Sequence, residues 1–444
     1  MEERKLALPG VRTIIKDRFY TLSRTEIPSG PRVLILGRRN SAEIDAVKAA
    51  EVKSLDVYNA ANEQVVIEVF GAGSDLHRGY LEAVIGGAAR VSLVALPEDT
   101  VFDHTDGYIY SATWEEESGY SVNETLNTDL LLDAAFDAIE TAEADIVVPW
   151  GSGSGETHWQ DPATPGDDAE IGFHADNSID IEKSWAKKIA NRCYNITLNS
   201  TPCIGVLGIA PYLGAAGADG NMTPSQVSTH LALANLVDRD LFIDQFNEDD
   251  PGETGHYLQV VAIELKPLRY NKDYDFGYAN GAATYAGAVS QLVSYSAPTG
   301  KALVNVEALR YNPTKTQQLA LIDKGVVPVG LTFTRAPAWV DALTFAKSTS
   351  DYTRLTTLRI VYDTVQLVRN VSQQFIGEGA TLEAKASLET AITRGLLGMQ
   401  QQGALLASDF VITYQPAESK ATVDLILTPA FELRNIEISV SVQL

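Results

Sequence analysis

The chain has 444 residues, of which 45% are hydrophobic and 21% charged, as expected for a folded protein of about two to four domains. The net charge of −24 argues against nucleic-acid binding, because an acidic surface repels phosphate backbones. No run of eighteen apolar residues occurs, and the charged first twenty residues lack the apolar stretch of a signal peptide, so we expect neither a membrane span nor a leader.

The first 350 residues alternate between predicted strands and predicted helices. Apolar runs predict strands at 32–37, 64–71, 90–96, 145–151, 203–211, 257–265 and 326–334. Helices are predicted at 74–87, 128–144, 179–193, 223–237, 278–293 and 312–325. This alternation predicts an α/β sheet with helices on its faces.

Several of these helices carry recognisable end signals. Ser74 is a good N-cap, and the same helix runs into two glycines at 86 and 87. Thr223 and Gln226 have the spacing of a capping box. Asn312 is the predicted cap of the helix that closes at Gly325.

Two segments interrupt the alternation. Residues 97–127 are polar and dotted with aromatics, and residues 151–178 are rich in Gly, Pro and Asp, which disfavour regular elements. We expect both to be insertions on the outer surface.

The pattern of residues changes at Asp351. Apolar residues at helical spacing predict a helix over about 351–377, and a second helix over 382–403 is expected to be interrupted by Gly395 and Gly398. Strands are predicted at 409–415 and 421–429. Residues 351–444 carry seven Lys/Arg and ten Asp/Glu, so this predicted α+β unit is nearly neutral and suited to contacts, whereas the acidic remainder suits solvent.

Glycine-rich segments do not complete a nucleotide-binding motif. In 71–76 the third glycine of GxGxxG is replaced by Leu76, and in 151–156 by Glu156. In 298–302, PTGKA, Ala302 removes the hydroxyl that would hold Mg²⁺. We therefore expect no cofactor.

Catalytic and metal motifs are equally weak. The serine elbow GxSxG is absent, since Gly153 occupies the serine position of the 151–155 run. Asp103, His104 and Asp106 are the best acid/base or metal candidates and support the alternative hypothesis of an α/β hydrolytic enzyme. A solvated loop is the simpler interpretation, and we expect no catalytic residue and no metal.

Two cysteines, Cys193 and Cys203, lie ten residues apart. Neither has a CxxC or CxxH neighbour, so the sequence predicts no zinc site. Free buried thiols are the expected state, and pairing between them stays open.

Both ends of the chain carry short alternating strands. At the C-terminal end the apolar positions are Ile436, Ile438, Val440, Val442 and Leu444. Near the N-terminus, Pro9 and Gly10 precede the strand made of Val11, Arg12, Thr13, Ile14, Ile15 and Lys16. Burying five apolar side chains contributes roughly 7–15 kcal/mol, and ordering nine residues costs roughly 9–18 kcal/mol. Such a strand therefore needs a pre-formed sheet edge, supplied by its own domain or by another copy.

The order of these segments resembles the contractile tail sheath proteins of myovirus-type phages and R-type pyocins. The stretches that carry the resemblance are LPGVRTIIKDRF, GPRVLILGR, AIETAEADIVVPWG, CIGVLGIAP, LIDKGVVPVGLTFTRAPAWVDALTF, LRIVYDTVQLVRN, ITRGLLGMQQQGAL, SDFVITY and VDLILTPAFELRNIEISVSVQL. The similarity is spread over most of the chain.

The resemblance implies an α/β outer body with a subtilisin-like sheet and no protease activity, a smaller α+β inner C-terminal domain, and terminal β-strand arms. The implied divisions are an N-terminal arm (1–20), the first core strands and helix (21–96), an outer insertion (97–127), the rest of the α/β outer body (128–346), the inner domain (347–428) and a C-terminal arm (429–444).

The resemblance also implies a structural role in a virion tail, after synthesis in the host cytoplasm. The subunit would form stacked, hexameric rings around a tail tube, contact baseplate and tail terminator proteins, and bind no nucleic acid or membrane. Residues 11–16 and 436–444 would be strands that interlock with neighbouring subunits. Bends are implied at Pro9, Gly10, Ser29, Gly30, Pro31 and Pro429, and tube-facing charges at Lys385 and Arg394.

Overall fold

The fold is taken from a computed structural model of the chain. It describes residues 31–37, 39–40, 55–96, 100–103, 108–115, 119–122, 139, 144–149, 185–199, 201–209, 222–233, 254–268, 278, 281–303, 305–332, 335–377, 379, 381–415 and 420–432. The helices are α1 Glu63–Phe70, α2 Asp75–Gly86, α3 Trp185–Asn199, α4 Pro224–Leu233, α5 Ala282–Ser290, α6 Lys315–Asp323, α7 Leu355–Gln373 and α8 Leu382–Gln401.

The strands are short in the body and long near the C-terminal end. They are β1 Val33–Gly37, β2 Val57–Asn59, β3 Val91–Ala95, β4 Thr100–Asp103, β5 Tyr108–Glu115, β6 Gly119–Val122, β7 Ile146–Pro149, β8 Ile204–Gly208, β9 Leu258–Ala262, β10 Leu265–Pro267, β11 Val306–Leu309, β12 Val326–Leu331, β13 Pro337–Trp339, β14 Leu405–Gln415 and β15 Lys420–Pro429.

An eight-stranded sheet forms the centre of the body, in the order β13-β12-β9-β8-β7-β1-β3-β2. The pairs from β12 to β3 are parallel, and the two edge strands, β13 and β2, are antiparallel to their neighbours. Strands β1, β3, β7, β8 and β9 are buried along their whole length. Continuous apolar runs produce such strands because both faces of a parallel sheet are covered.

Alternate residues of these strands enter two different cores. Leu34 and Leu36 of β1 pack in the cluster that contains Ile189 of α3. Val33 and Ile35 point the other way, into the cluster that contains residues of α2 and α5. The period of two thus places α3 and α5 on opposite faces of the sheet.

A third apolar cluster lies in the C-terminal part of the chain. Ile360 and Leu367 of α7, Ile392 and Leu396 of α8, and Ile412 of β14 belong to it. Helices α7 and α8 and the β14–β15 hairpin therefore share a core of their own, distinct from the two cores that flank the sheet.

Most predicted elements are confirmed. The strands predicted at 32–37, 90–96, 145–151, 203–211, 257–265 and 326–334 contain β1, β3, β7, β8, β9 and β12. Ser74 caps α2, with its hydroxyl accepting from His77 N at 3.0 Å. The capping box at the start of α4 is also present, with Gln226 Oε1 2.8 Å from Thr223 N.

The strand predicted at 64–71 is wrong, because this segment is α1. Asn62 caps the helix by accepting a hydrogen bond from Val65 N at 3.0 Å. Val66, Val69 and Phe70 then fall on one buried helical face. An apolar run of this length fits a strand or a helix equally well, and the cap decides between them.

Other departures from the predictions are local. Helix α8 runs through Gly395 and Gly398 without the expected interruption. The 97–127 segment contains a three-stranded antiparallel sheet, β4-β5-β6, that the sequence interpretation missed. Of the predicted 128–144 helix only Ile139 is described as helical, and the predicted 151–178 loop lies outside the described residues.

The cap of α6 is Thr314 and not Asn312. The Thr314 hydroxyl accepts from Gln317 N at 3.3 Å, and Gln317 Oε1 accepts from Thr314 N at 2.8 Å, which completes a capping box. We expect Thr314→Ala to lower the free energy of unfolding by about 1 kcal/mol, and Asn312→Ala to change it by a few tenths at most. Urea denaturation of both variants measures this, and equal effects would contradict the assignment.

Candidate functional site

Within the described residues, the β14–β15 hairpin is a candidate surface for pairing with a further strand. Its strands are antiparallel, with Phe410 opposite Leu425 and Ile412 opposite Val423. All four side chains lie on the face of the hairpin that packs towards α7 and α8, where they join the third core. One face of the hairpin is thereby fixed to a helical support, as alternation of apolar and polar residues predicts.

The other face of the hairpin carries exposed apolar side chains. Val411 and Ile426 on the outer face are 56% and 65% exposed. Within the described part of the chain, neither β14 nor β15 pairs with a third strand. An edge strand of ten or eleven residues presents rows of backbone donors and acceptors that can bind a further strand.

The predicted arm strands lie outside the described residues. This applies to Pro9, Gly10, Val11, Arg12, Thr13, Ile14, Ile15, Lys16, Ser29, Gly30, Ile436, Ile438, Val440, Val442 and Leu444. Their roles stay predictions. The described residues nearest to the two arm strands are Pro31 before β1 and residues 430–432 after β15, and we call these the arm roots.

The N-terminal root lies beside a charged cavity. Pro31 lines a cavity of about 250 Å³ together with Asp145, Arg359 and Asp363. Burial raises the pKa of Asp145 to about 6, although Arg32 N donates to its Oδ2 at 2.7 Å. This cavity lies where α7 meets the amino-terminal ends of β7 and β8.

The C-terminal root continues from the hairpin towards the body. Pro429, a predicted bend, is the last residue of β15, and Ala430 N donates to Ala404 O at 2.9 Å. Phe431 is 81% exposed. Burial lowers the pKa of Lys301, and the Glu432 carboxylate opposes this shift, so Glu432 lies near the 291–301 loop.

Two arginines fasten α7 to the body. Arg359 donates to Leu292 O at 2.6 Å and Val293 O at 3.4 Å, just beyond the end of α5. Arg369 donates to Thr197 O at 2.8 Å and Leu198 O at 3.1 Å, in the last turn of α3. Carbonyls at a helix C-terminus are unsatisfied and carry partial negative charge, so guanidinium donors suit them.

Through these two contacts α7, which shares a core with the β14–β15 hairpin, is attached to helices on both faces of the central sheet. Helices α3 and α5 lie on opposite faces of the sheet, and Arg359 and Arg369 are ten residues apart on α7, about 15 Å along the helix axis. No local pattern in the sequence indicates this arrangement, because each contact joins segments far apart in the chain.

The predicted tube-facing residues differ in their surroundings. Lys385 lies 3.8 Å from Glu389 and 5.2 Å above the Tyr414 ring, so it is engaged within its own unit. Arg394 is exposed on α8. Leu382 and Leu397 of the same helix are 86% and 48% exposed, so α8 presents apolar as well as charged groups to the outside.

The residues of the hydrolase hypothesis are not brought together by any described contact. Asp103 ends β4 and pairs with Tyr108 across the hairpin, whereas His104 and Asp106 lie outside the described residues. Among the residues described, no group of three His, Cys, Asp or Glu could hold a metal ion. No helix in the described ranges is long and apolar enough to cross a bilayer.

The partial nucleotide motifs also have other structural roles. Gly71 and Gly73 form the turn between α1 and α2, not the strand-to-helix turn that a dinucleotide site requires. Lys301 of PTGKA donates to Ser296 Oγ at 2.8 Å and to Ala297 O, so its ammonium binds the loop itself.

A buried charge cluster that the sequence did not reveal lies in the body. The Glu264 carboxylate accepts from Arg310 Nη1 at 2.6 Å and lies 3.4 Å from His230 Nε2. Burial, assisted by the Arg310 charge, lowers the pKa of His230 to about 4. The cluster ties α4 to the segments that carry β10 and β11.

This cluster predicts an acid-sensitive fold. The pKa of His230 is about 6.5 in the unfolded chain and about 4 in the folded chain. The unfolded chain therefore binds a proton more readily, so the free energy of unfolding is at its full value above pH 6.5 and decreases as the pH falls to 4. We expect a loss of up to about 3 kcal/mol. The raised pKa of Asp145 acts in the opposite direction, so the test compares denaturation of the wild type and His230→Asn between pH 4 and 7. An equal pH slope in both would refute the prediction.

Comparison with known proteins identifies the fold. No family model and no curated protein matches the chain. The solved structure of the contracted helical sheath of the anti-feeding prophage is similar, with a TM-score of 0.53, 12% identity, and coverage of 93% of this chain and 92% of that chain.

Two further sheath structures agree. The contracted sheath complex of the extracellular contractile injection system PVC matches with a TM-score of 0.56 and 11% identity, covering 92% of this chain and 91% of that one. A sheath tail protein from Listeria innocua matches with a TM-score of 0.55 and 10% identity, covering 94% and 96%. Over nearly its whole length, this chain has the fold of contractile tail sheath proteins.

Proposed function

We propose that the chain is the structural subunit of a contractile, phage-type tail sheath and is not an enzyme. The observation that carries the proposal is the similarity of fold to sheath subunits over more than nine tenths of both chains. In this role the protein polymerises helically around a tail tube, and its contraction drives the tube through an envelope.

The β14–β15 hairpin supplies the acceptor for polymerisation. It offers two long edges and stands on its own helical support, so a strand can be added on either side without disturbing the body. The arms at 11–16 and 436–444 have the period-two pattern of added strands. Two donors and two acceptor edges per subunit allow each copy to link to its neighbours.

Such links are head-to-tail, because an arm binds a surface that differs from itself. Repeating a head-to-tail contact produces rings when it closes and helical polymers when it does not. We propose that the subunits form hexameric rings that stack into a helix. Baseplate and tail terminator proteins bind at the two ends of this helix, which is part of the tail of a phage or phage-like particle.

We assign different roles to the C-terminal part and to the rest of the subunit. Residues 347–428 form the inner domain that lies against the tube, with Lys385 and Arg394 of α8 as the tube-facing candidates. Residues 21–346, with a subtilisin-like sheet, form the outer body, and β4–β6 belong to an outer insertion. The acidic surface of the outer parts keeps them in solvent.

Contraction is then a rigid-body rearrangement of subunits about the arms. The Arg359 and Arg369 contacts keep α7 docked on both layers of the body, so inner and outer parts move together. Energy comes from interfaces that improve in the contracted packing, and no nucleotide is needed.

Electron microscopy of the purified full-length chain tests the proposal. We expect rings or long tubes to appear as the protein concentration is raised, with a helical repeat visible in their Fourier transforms. The proposal would be contradicted by a folded chain that remains monomeric over a wide range of concentration, salt and temperature. The same monomer would also have to persist in the presence of a matching tail tube.

A further inference from the structure

The two cysteines meet in the core beneath the α7 junction. Cys193 on α3 and Cys203 at the start of β8 are free thiols without solvent exposure. Their sulfur atoms are 3.8 Å apart, within the distance of a weak hydrogen bond from the Cys203 thiol to Cys193 Sγ. A disulfide bond has an S–S length of about 2.0 Å, so the two sulfur atoms need to approach each other by a further ~1.8 Å for the bond to form.

The surrounding contacts hold the pair in this arrangement. Thr197 lies one helical turn after Cys193, and its hydroxyl accepts from Cys203 N at 2.9 Å and donates to Cys203 O at 3.4 Å. The backbone of Cys203 is therefore fixed against the same face of α3 that carries Cys193.

We propose that Cys193 and Cys203 are an oxidation site that closes to an intramolecular disulfide when the protein meets a peroxide. One thiolate attacks hydrogen peroxide to give a sulfenic acid and hydroxide, and the second thiol displaces water from that sulfenic acid. In sum, two thiols and one H₂O₂ give one disulfide and two H₂O, so the peroxide is the oxidant and takes both electrons.

A peroxide fits this site better than a larger oxidant. Hydrogen peroxide is close to water in size, and both sulfurs lie in the interior. The hydrogen bond to Cys193, together with burial, raises the pKa of the Cys203 thiol, so the reactive thiolate is scarce and the reaction is slow. Slow oxidation suits a permanent modification better than a rapid redox sensor.

The bond would stiffen the surface on which α7 is docked. Arg369 of α7 binds Thr197 O and Leu198 O, which lie inside the loop that the disulfide closes. Thr201 and Pro202 of the same loop line the cavity beside Asp363 and Gln366 of α7. If the proposed sheath function holds, oxidation outside the cell reinforces the junction between the inner and outer parts of each subunit.

Thiol counting by mass spectrometry tests the site. The folded full-length protein is incubated with hydrogen peroxide, denatured, and alkylated with iodoacetamide. We expect the number of alkylated cysteines to fall from two to zero, with one bridge between the Cys193 and Cys203 peptides and monomer mobility on a non-reducing gel. The melting temperature should rise by about 1–4 °C and return after reduction.

Single-cysteine variants provide the matched controls. In Cys193→Ala and Cys203→Ala the remaining thiol has no second thiol with which to form a bridge. It should stay alkylatable for longer than the thiols of the wild type, or be oxidised to sulfinic acid without forming a bridge. Three results would overturn the proposal. The wild type could keep two alkylatable thiols under peroxide exposure that oxidises a free dithiol. Alternatively, bridges could form only between chains, or only in urea. None of these readouts depends on tube formation, so the sheath function is judged separately.

Discussion

Replacing Gly287 by alanine is expected to lower the free energy of unfolding by about 3 kcal/mol, a large effect for one methyl group. Helices α2 and α5 cross so closely that a Cβ at Gly287 would occupy the space of the Ala83 carbonyl oxygen and lie 3.0 Å from Gly86 Cα. Backbone atoms cannot turn aside as a side chain can, so the helices must separate and the second core must loosen.

Gly398→Ala is the matched control for this substitution. Gly398 also lies inside a helix, but apart from that helix's own backbone no heavy atom comes within 4 Å of the point where an alanine methyl group would lie. Alanine has the higher helix propensity, so this change should stabilise the fold by up to about 1 kcal/mol. Urea denaturation of both variants decides the matter, and a stabilising Gly287→Ala would show that the crossing is looser than described.

Deleting residues 436–444 is expected to leave a folded monomer that no longer polymerises. The proposal pairs this segment with neighbouring copies and not with its own subunit, so circular dichroism and the melting temperature of the monomer should change little. The lost strand removes its apolar side chains and its ladder of backbone hydrogen bonds from the contact between copies. Tubes or rings from the truncated chain in electron micrographs would show that this arm is not needed for assembly.

Point substitutions sharpen this test because the strand has two faces. Val440 belongs to the apolar alternation and Ser441 to the polar one. Val440→Asp should raise the concentration needed for assembly roughly 100-fold or more, and Ser441→Asp, with the same charge, should change it far less. Equal effects of the two variants would mean that charge alone, and not the buried face of a strand, governs assembly.

The parallel sheet was predictable because its signal is local. Runs such as 33–37 and 204–208 are apolar throughout, and a strand covered on both faces requires this composition. The 64–71 segment is ambiguous in the sequence because a short apolar run fits a buried strand as well as a helix, and the Asn62 cap is the feature that distinguishes the helix. The β4–β6 sheet was not predicted because its segment is polar with scattered aromatic residues and contains no apolar run that indicates a strand.

The functional surfaces were predictable only in part. The hairpin strands and their alternation are visible in the sequence, but their open edges and helical support depend on how α7 and α8 fold back. Arg369 and Thr197 are 172 positions apart, and no local pattern relates them. The contact between Cys193 and Cys203 likewise depends on the packing of α3 against β8.

A cryo-electron microscopy reconstruction of the assembled polymer tests the central claim most directly. We predict that each β14–β15 hairpin is extended by strands from other subunits, formed by residues 11–16 and 436–444, so that sheets are shared between copies. Hairpins whose edges carry no added strand, or arms that fold back onto their own subunit, would contradict it.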